Sequence, residues 1–211
     1  TNDGIQAASL LRIDGGDFSV ATGGGSSNGK THSDSMGRGM EMFSSSSDSE
    51  DSESAKAIKS ADVIKINGGS FTINSSDDAF HSNNEIIISD GTLDIKTGDD
   101  GVHADSTLNV DGGTINITES YEGLEAGDIV INYGTISIVS SDDGLNAAGG
   151  SDGNVEQGAF NENSNKSLTI NGGYITVNAS GDGLDSNGSL TITGGVTLVS
   201  GPTNDGNGAI D

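Results

Sequence analysis

The residues of this chain best equipped for chemistry are acids, and they recur in one pattern. Thr97-Gly-Asp-Asp-Gly-Val-His-Ala-Asp105 places two adjacent carboxylates before a glycine, one apolar residue and a histidine. Asp77-Asp-Ala-Phe-His81 precedes it, Glu122-Gly-Leu-Glu125, Asp143-Gly-Leu-Asn146 and Asp182-Gly-Leu-Asp185 follow it, and Asp3-Gly-Ile-Gln6 stands near the start. Carboxylates packed this closely repel unless some are protonated or a cation lies between them. A hard divalent ion that takes six to eight oxygens at about 2.3–2.6 Å turns such a set into a clamp, and calcium suits it better than magnesium, whose strict octahedral shell keeps more water. Calcium is therefore the expected cofactor, with Asp77, Asp78, Asp99, Asp100, Glu122, Asp142, Asp143, Asp182 and Asp185 as its candidate ligands.

The elements that must position these acids show in the spacing of glycines. Gly69 to Gly91 and Gly91 to Gly113 are each 22 residues, Gly113 to Gly134 is 21, and Gly173 to Gly195 is 22. The steps Gly16 to Gly69 (53) and Gly134 to Gly173 (39) are one period plus an insertion. A fixed period of this length marks a solenoid. Each period holds three short apolar alternations. The first supplies the column Ile5, Ile58, Phe80, Val102, Leu124, Leu145, Leu184 and Ile210; the second supplies pairs such as Ile64/Ile66 and Leu108/Val110; the third supplies Phe71/Ile73, Leu93/Ile95 and Ile115/Ile117. Alternation of this kind is a strand signal. A helix in every repeat would need runs of Ala, Leu, Glu and Lys, whereas these repeats are built of Gly, Asn, Asp, Ser, Thr and Ile. The expectation is an all-β fold: a right-handed parallel β-helix of about eight coils of 21–22 residues, three strands per coil, forming a single domain over residues 1–211. Residues 23–53 and 149–166 break the period and read as loop insertions; "MGRGMEMF" in the first is a possible binding tip.

In such a stack, equivalent positions superpose at strand spacing. Asp78, Asp100, Glu122, Asp143 and Asp182 then form one file, with Asp77, Asp99 and Asp142 beside it. An adjoining outward column holds Lys59, His81, His103, Glu125, Asn146 and Asp185. His81 and His103 lie one period apart, so their rings stack; a zinc or copper site there is the weaker reading, because the surrounding ligands are carboxylates and there is no cysteine.

Charge and composition exclude several classes. A net charge of −24 with only 8 Lys and Arg opposes binding to nucleic acid or an anionic membrane. With no cysteine there is no disulfide, zinc thiolate or thiol nucleophile. No apolar run is long enough to span a membrane, and the opening "TNDGI" falls mid-pattern, as in a mature or trimmed fragment. No Trp and three scattered tyrosines, Tyr121, Tyr133 and Tyr174, argue against binding neutral glucans by stacking.

The "DDGVH", "DDGLN" and "DGLD" corners with their "NGG" and "DGG" turns resemble those of calcium-binding, pectate-lyase-like β-helices, and most closely a clostridial family of secreted carbohydrate-binding β-helix proteins. The resemblance spans the chain apart from the two insertions. It implies calcium at the acidic corners and an extracellular, monomeric protein that binds plant cell-wall polysaccharide, acidic sugars such as polygalacturonate above all, with cellulose as a secondary ligand. In lyases of this fold an Asp-Asp-x-x-Asp corner binds the catalytic calcium. Asp99, Asp100 and His103 match one such corner, Asp142, Asp143 and Asn146 another, and Asp182 with Asp185 half of a third. No corner has the full aspartate triplet, and only Lys59 among the basic residues shares the column where a base would stand. The expected function is thus non-catalytic binding with Lys59, His81, His103 and Asn146 as sugar contacts. A calcium-dependent pectate lyase is the alternative, and an adhesin or ice-binding rod, suggested only by the Thr92, Thr114 and Thr135 file, is a third class.

Overall fold

The computed structural model describes residues 3–31, 54–147 and 166–211. Most of both insertions, including "MGRGMEMF", falls outside the described residues. Among those described, the protein is all-β with parallel strands, and its helical content is one short 3₁₀ turn, Ser26–Asn28. The strands form two sheets. Twelve short first and second strands make one, in which Val102–Val110 and Leu124–Ile131 each run unbroken through both positions. Seven third strands make the other, from Asp17–Thr22 to Val196–Ser200.

Every strand pairs with its equivalent one repeat away. The apolar column is continuous in register, Ile5 to Ile58, Phe80, Val102, Leu124, Leu145 and Leu184. A single bridge from Leu184 to Ile210 adds one more rung to seven full repeats. Ile210 is nevertheless 58% exposed, because an end rung has a neighbour on one side only. Inward residues of all three strands meet in one core, with Phe71 stacked on Phe18 at 4.8 Å between ring centroids and set edge-on to Phe80 at 5.7 Å. Apart from Val102–Val110 and Leu124–Ile131, the strands are three to six residues long, because the chain turns a corner after each.

The corners use different chemistry. At the turn into the third strand, Gly113 has φ of +84°, and a Cβ there would lie 2.8 Å from the Gly91 carbonyl oxygen, so repeats can close to strand spacing only with glycine. Beside it, amides and Ser89 keep the acids of the column apart: Asn67 Nδ2 donates to Asp14 at 2.6 Å, Asn132 to Asp111 at 2.7 Å and Asn171 to Asn132 at 2.8 Å. On the outer face, Thr92, Thr114 and Thr135 do align in register, but Tyr174 continues the file, which ends any flat threonine array.

Phe71→Ala, which removes a fully buried ring touching two others, is expected to cost about 3–5 kcal/mol in chemical denaturation. Tyr133→Ala, at a side chain 68% exposed, should stay within about 0.5 kcal/mol.

Candidate binding site

The acidic corner lies between the third strand of one repeat and the first strand of the next. Its register is set by backbone bonds: the N–H groups of Ala79, Gly101, Gly123 and Gly144 donate to the carbonyls of Asp100, Glu122, Asp143 and Asp182. Asp78, Asp100, Glu122, Asp143 and Asp182 therefore form one file. The same ladder runs one rung further back, where Ala57 N–H donates to Asp78, and places Lys56 in the acids' own file. The sequence reading missed Lys56. Its signal was the 22-residue step from Asp78, with Lys-Ala-Ile standing where Asp-Ala-Phe stands in the next repeat.

Part of the work of these carboxylates is structural. One oxygen of Asp78 accepts the Asp100 N–H at 3.2 Å, one of Asp100 accepts the Glu122 N–H at 3.1 Å, and one of Asp143 accepts the Asp182 N–H at 2.6 Å. Each acid thus satisfies a backbone donor of the following repeat that the curve of the chain leaves outside the strand ladder.

The other oxygens meet different partners at the two ends of the file. Lys56 Nζ, 4% exposed as a residue, lies 2.9 Å from Asp77 Oδ1 and 2.5 Å from Asp78 Oδ2, and His81 Nδ1 lies 2.8 Å from that same Asp78 oxygen. Burial works to raise the Asp78 carboxyl, but the His81 hydrogen bond and the Lys56 and His103 charges outweigh it and hold the group well below the usual carboxylate range. His103 lies 3.3 Å from Asp100, 3.0 Å from Glu125 and 3.4 Å from Asp105. Burial disfavours its cation, yet hydrogen bonds to Asp100, Asp105 and Glu125 raise its pKa far above that of an ordinary imidazole. A protonated imidazole has two donors and no lone pair for a metal, so His103 reads as countercharge within the protein; its ring lies 4.9 Å from that of His81, tilted by 59° rather than stacked on it. Both histidines are buried, which departs from the exposed, sugar-contacting column expected of them: the acids on either side draw the rings inward. Lys59 does share their column, partly buried between Gln6 and His81.

Further along, among the described residues, the charges that act on the acids are those of other acids. Burial first, then the charges of Asp100 and Glu125, push the Glu122 carboxyl well up, while Asn146 Nδ2 donates to both its oxygens at 3.0 and 2.9 Å. That assignment leaves the buried Asn146 Oδ1 with no hydrogen-bond partner. Asp143 is pushed up to about 7 by burial and by Asp142, Asp182 and Asp185, all of them acids. Asp185 is raised by burial and by Asp182 and Asp211. Carboxylate oxygens of Asp143, Asp182 and Asp185 lie within 4.8 Å of one another. Gly181 takes the place in the second file held elsewhere by Asp77, Asp99 and Asp142, and a Cβ there would strike carboxylate oxygens of both Asp142 and Asp143. The missing side chain leaves a cradle open among these acids. Hard oxygen donors, an open cradle and a buried amide oxygen without a partner fit an ion of calcium's type. Asp77, Asp78 and Asp99 also converge within 4.8 Å, but the Lys56 ammonium already bridges the first two.

Fold and site together define a parallel-stranded, all-β protein with one strongly acidic edge. The sequence model of a family described as "carbohydrate-binding domain-containing protein" matches residues 1–101 of the 211, and this supports carbohydrate binding as the coarse activity and a carbohydrate as the partner. No curated protein and no solved structure gives a match.

Two measurements test the electrostatics. Lys56→Ala leaves Asp77 and Asp78 buried without their ammonium and is expected to destabilise the chain by about 3–5 kcal/mol in chemical denaturation, with part of the loss recovered when Asp78→Asn is added. The second is pH dependence with chelator present. The Asp143 carboxyl, moved from 3.8 to about 7, keeps in the folded chain a proton that the unfolded chain has lost across that window, so its contribution is whole below about pH 4 and is lost as pH rises through 7. Asp100, Glu122 and Asp185 are raised and share that sign; Asp78 and Asp105 are lowered and lose their contributions only as pH falls below the ordinary 3.8. The metal-stripped chain should therefore melt at a higher temperature at about pH 5 than at about pH 8. A flat or rising profile would contradict the raised carboxyls.

Proposed function

We propose that the chain is a right-handed parallel β-helix of about eight coils that binds acidic plant cell-wall polysaccharide, polygalacturonate above all, through calcium at its acidic corner and without cleaving it, as a monomer outside the cell. The observation that carries this reading is the uneven neutralisation of the acid file. Lys56 and His103 supply cations at one end, whereas every charge that shifts Asp143 is another acid. The carbohydrate-binding match over residues 1–101 supports the class of partner.

Asp143, Asp182 and Asp185, with Asp142 beside them, are the residues that would hold the ion, and Asn146, in register with Asp185, has an amide oxygen without a partner. Bound calcium supplies positive charge and open coordination positions for a uronate carboxylate. The protein's own part is to keep the carboxylates converged: Asp182 N–H fixes one Asp143 oxygen, Gly208 N–H fixes one Asp182 oxygen, and Asp185 is held in register with Asn146. A chain at −24 without that charge would repel polygalacturonate. Non-cleavage follows from the corner chemistry. His103 stands where the lyase pattern has its third aspartate and is engaged by three acids, and Lys59 is flanked in its column by Gln6 and His81, with no carboxylate next to it in register.

Calcium at about 100 times its dissociation constant should stabilise the fold by about 2.7 kcal/mol, and excess chelator should reverse it in thermal melts. Asp182→Asn should shrink that shift and reduce retardation of the protein in gels containing polygalacturonate, while Asp94→Asn on another outward face should do neither. Incubation with polygalacturonate and calcium should give no absorbance from unsaturated uronides. Such absorbance, abolished by Lys59→Ala, would establish the lyase instead.

A further inference from the structure

Away from the converged acids, a groove of about 390 Å³ opens along the same edge, in the size range of small-molecule sites. One wall comes from the start of the first insertion, Ser26 to Lys30; the other comes from the ends of three successive third strands, at Thr97, Ser120, Tyr121 and Ser141. The wall is built in rather than draped. Ser26 is buried and its N–H donates to Asn74 Oδ1 at 2.8 Å, and Asn28 and Gly29 N–H groups close the 3₁₀ turn onto Gly25 and Ser26 at 3.0 Å. Gly29 and Gly98 then meet backbone to backbone: a Cβ on Gly98 would lie 2.5 Å from Gly29 Cα and 2.8 Å from the carbonyl oxygens of Ser26 and Ser76. This contact places Lys30 at the groove.

Lys30, like Lys59, Lys65 and Lys166, is in no ion pair among the described residues, and of these four it is the one that lines the groove. The acid that also lines the groove, Glu119, is taken by Lys96 at 2.7 Å. The hydroxyls of Ser120 and Ser141 donate to the Val139 and Ser120 carbonyls at 3.4 and 3.2 Å, which leaves their lone pairs as acceptors for a ligand O–H. Tyr121 adds an aromatic ring on which a sugar C–H face can rest.

We propose that this groove is a second carbohydrate subsite, one that takes a uronate residue directly: Lys30 pairs with the sugar carboxylate, Ser120 and Ser141 accept from its hydroxyls, and Tyr121 packs on its ring. The subsite rests on the acidic-sugar reading above but needs no metal. An ammonium is the right partner for a carboxylate; Glu119, the acid that lines the groove, is already paired with Lys96, and at physiological salt acids beyond the screening length of about 8 Å act only weakly on the site.

The test uses the full chain in excess chelator, with galacturonate trimer, its methyl ester and a neutral glucose trimer titrated by calorimetry or by nuclear magnetic resonance shifts. The uronate trimer should bind weakly and the ester and glucose trimers at least tenfold more weakly still. Lys30→Gln should lose about tenfold or more of the uronate affinity, with Lys30→Arg retaining most of it. Lys30 is exposed, so both variants should melt as the parent does. Asp182→Asn should bind the uronate trimer under chelator like the parent, which separates this subsite from the calcium-dependent one. Uronate binding that chelator abolishes, or that Lys30→Gln leaves unchanged, overturns the subsite and leaves the calcium reading standing. Chelator-resistant, Lys30-dependent binding in a chain that shows no response to calcium overturns the calcium reading and leaves the subsite.

Discussion

Parallel pairing between equivalent residues of successive repeats is the constraint on which the rest of the protein depends. It places each side chain about 4.8 Å from its counterpart in the next repeat. For Ile, Leu, Val and Phe this is favourable, since like shapes pack and every apolar surface is buried on both sides. For carboxylates it is the reverse: two unit charges at that spacing oppose each other by about 3–4 kcal/mol at an effective dielectric constant near 20. Any corner that repeats an acid must therefore find protons, cations or hydrogen-bond donors to hold it.

The two polar corners answer that requirement differently. Where Asp14 meets Asn67 and Asp111 meets Asn132, an amide sits beside each acid and no two acids are neighbours, so charge does not accumulate and each carboxylate has a donor. At the acidic corner the acids are neighbours. Backbone N–H groups of the following repeat satisfy one oxygen of Asp78, Asp100 and Asp143, and among the described residues Lys56 and His103 bring positive charge to one end of the file. Burial first, and then the charges of neighbouring acids, raise the Glu122, Asp143 and Asp185 carboxyls, and Asp100 beside His103 is raised in the same way. On the calcium reading proposed above, one end of the file stabilises the stack and the other takes its cation from solution, so that structural and binding acids are separated without a change of residue type.

Much of this was legible in the sequence because stacking turns periodicity into geometry. The step of 22 residues put Val102 over Phe80, His103 over His81 and Asp100 over Asp78, and each pairing occurs in the structure. The inward pairs Leu108/Val110 and Ile115/Ile117 are buried as their alternation requires. Lys56 was within reach of the same ruler but broke the residue type, so a search for acids passed over it. The burial of His81 and His103 was not within reach, because position in an outward column says which way a side chain leaves the strand and nothing about what surrounds it.

What the sequence by itself determined is the set of residues that share a column, since in a parallel stack the register follows from the repeat length alone. What only the tertiary structure decided is how each column is satisfied. The ammonium of Lys56 between two aspartates, the three acids around His103, the open cradle at Gly181, and the Gly29–Gly98 contact that brings Lys30 to its groove all depend on side-chain reach and on chain returning from an insertion. Neither has a period, and so neither leaves a repeating mark in the sequence.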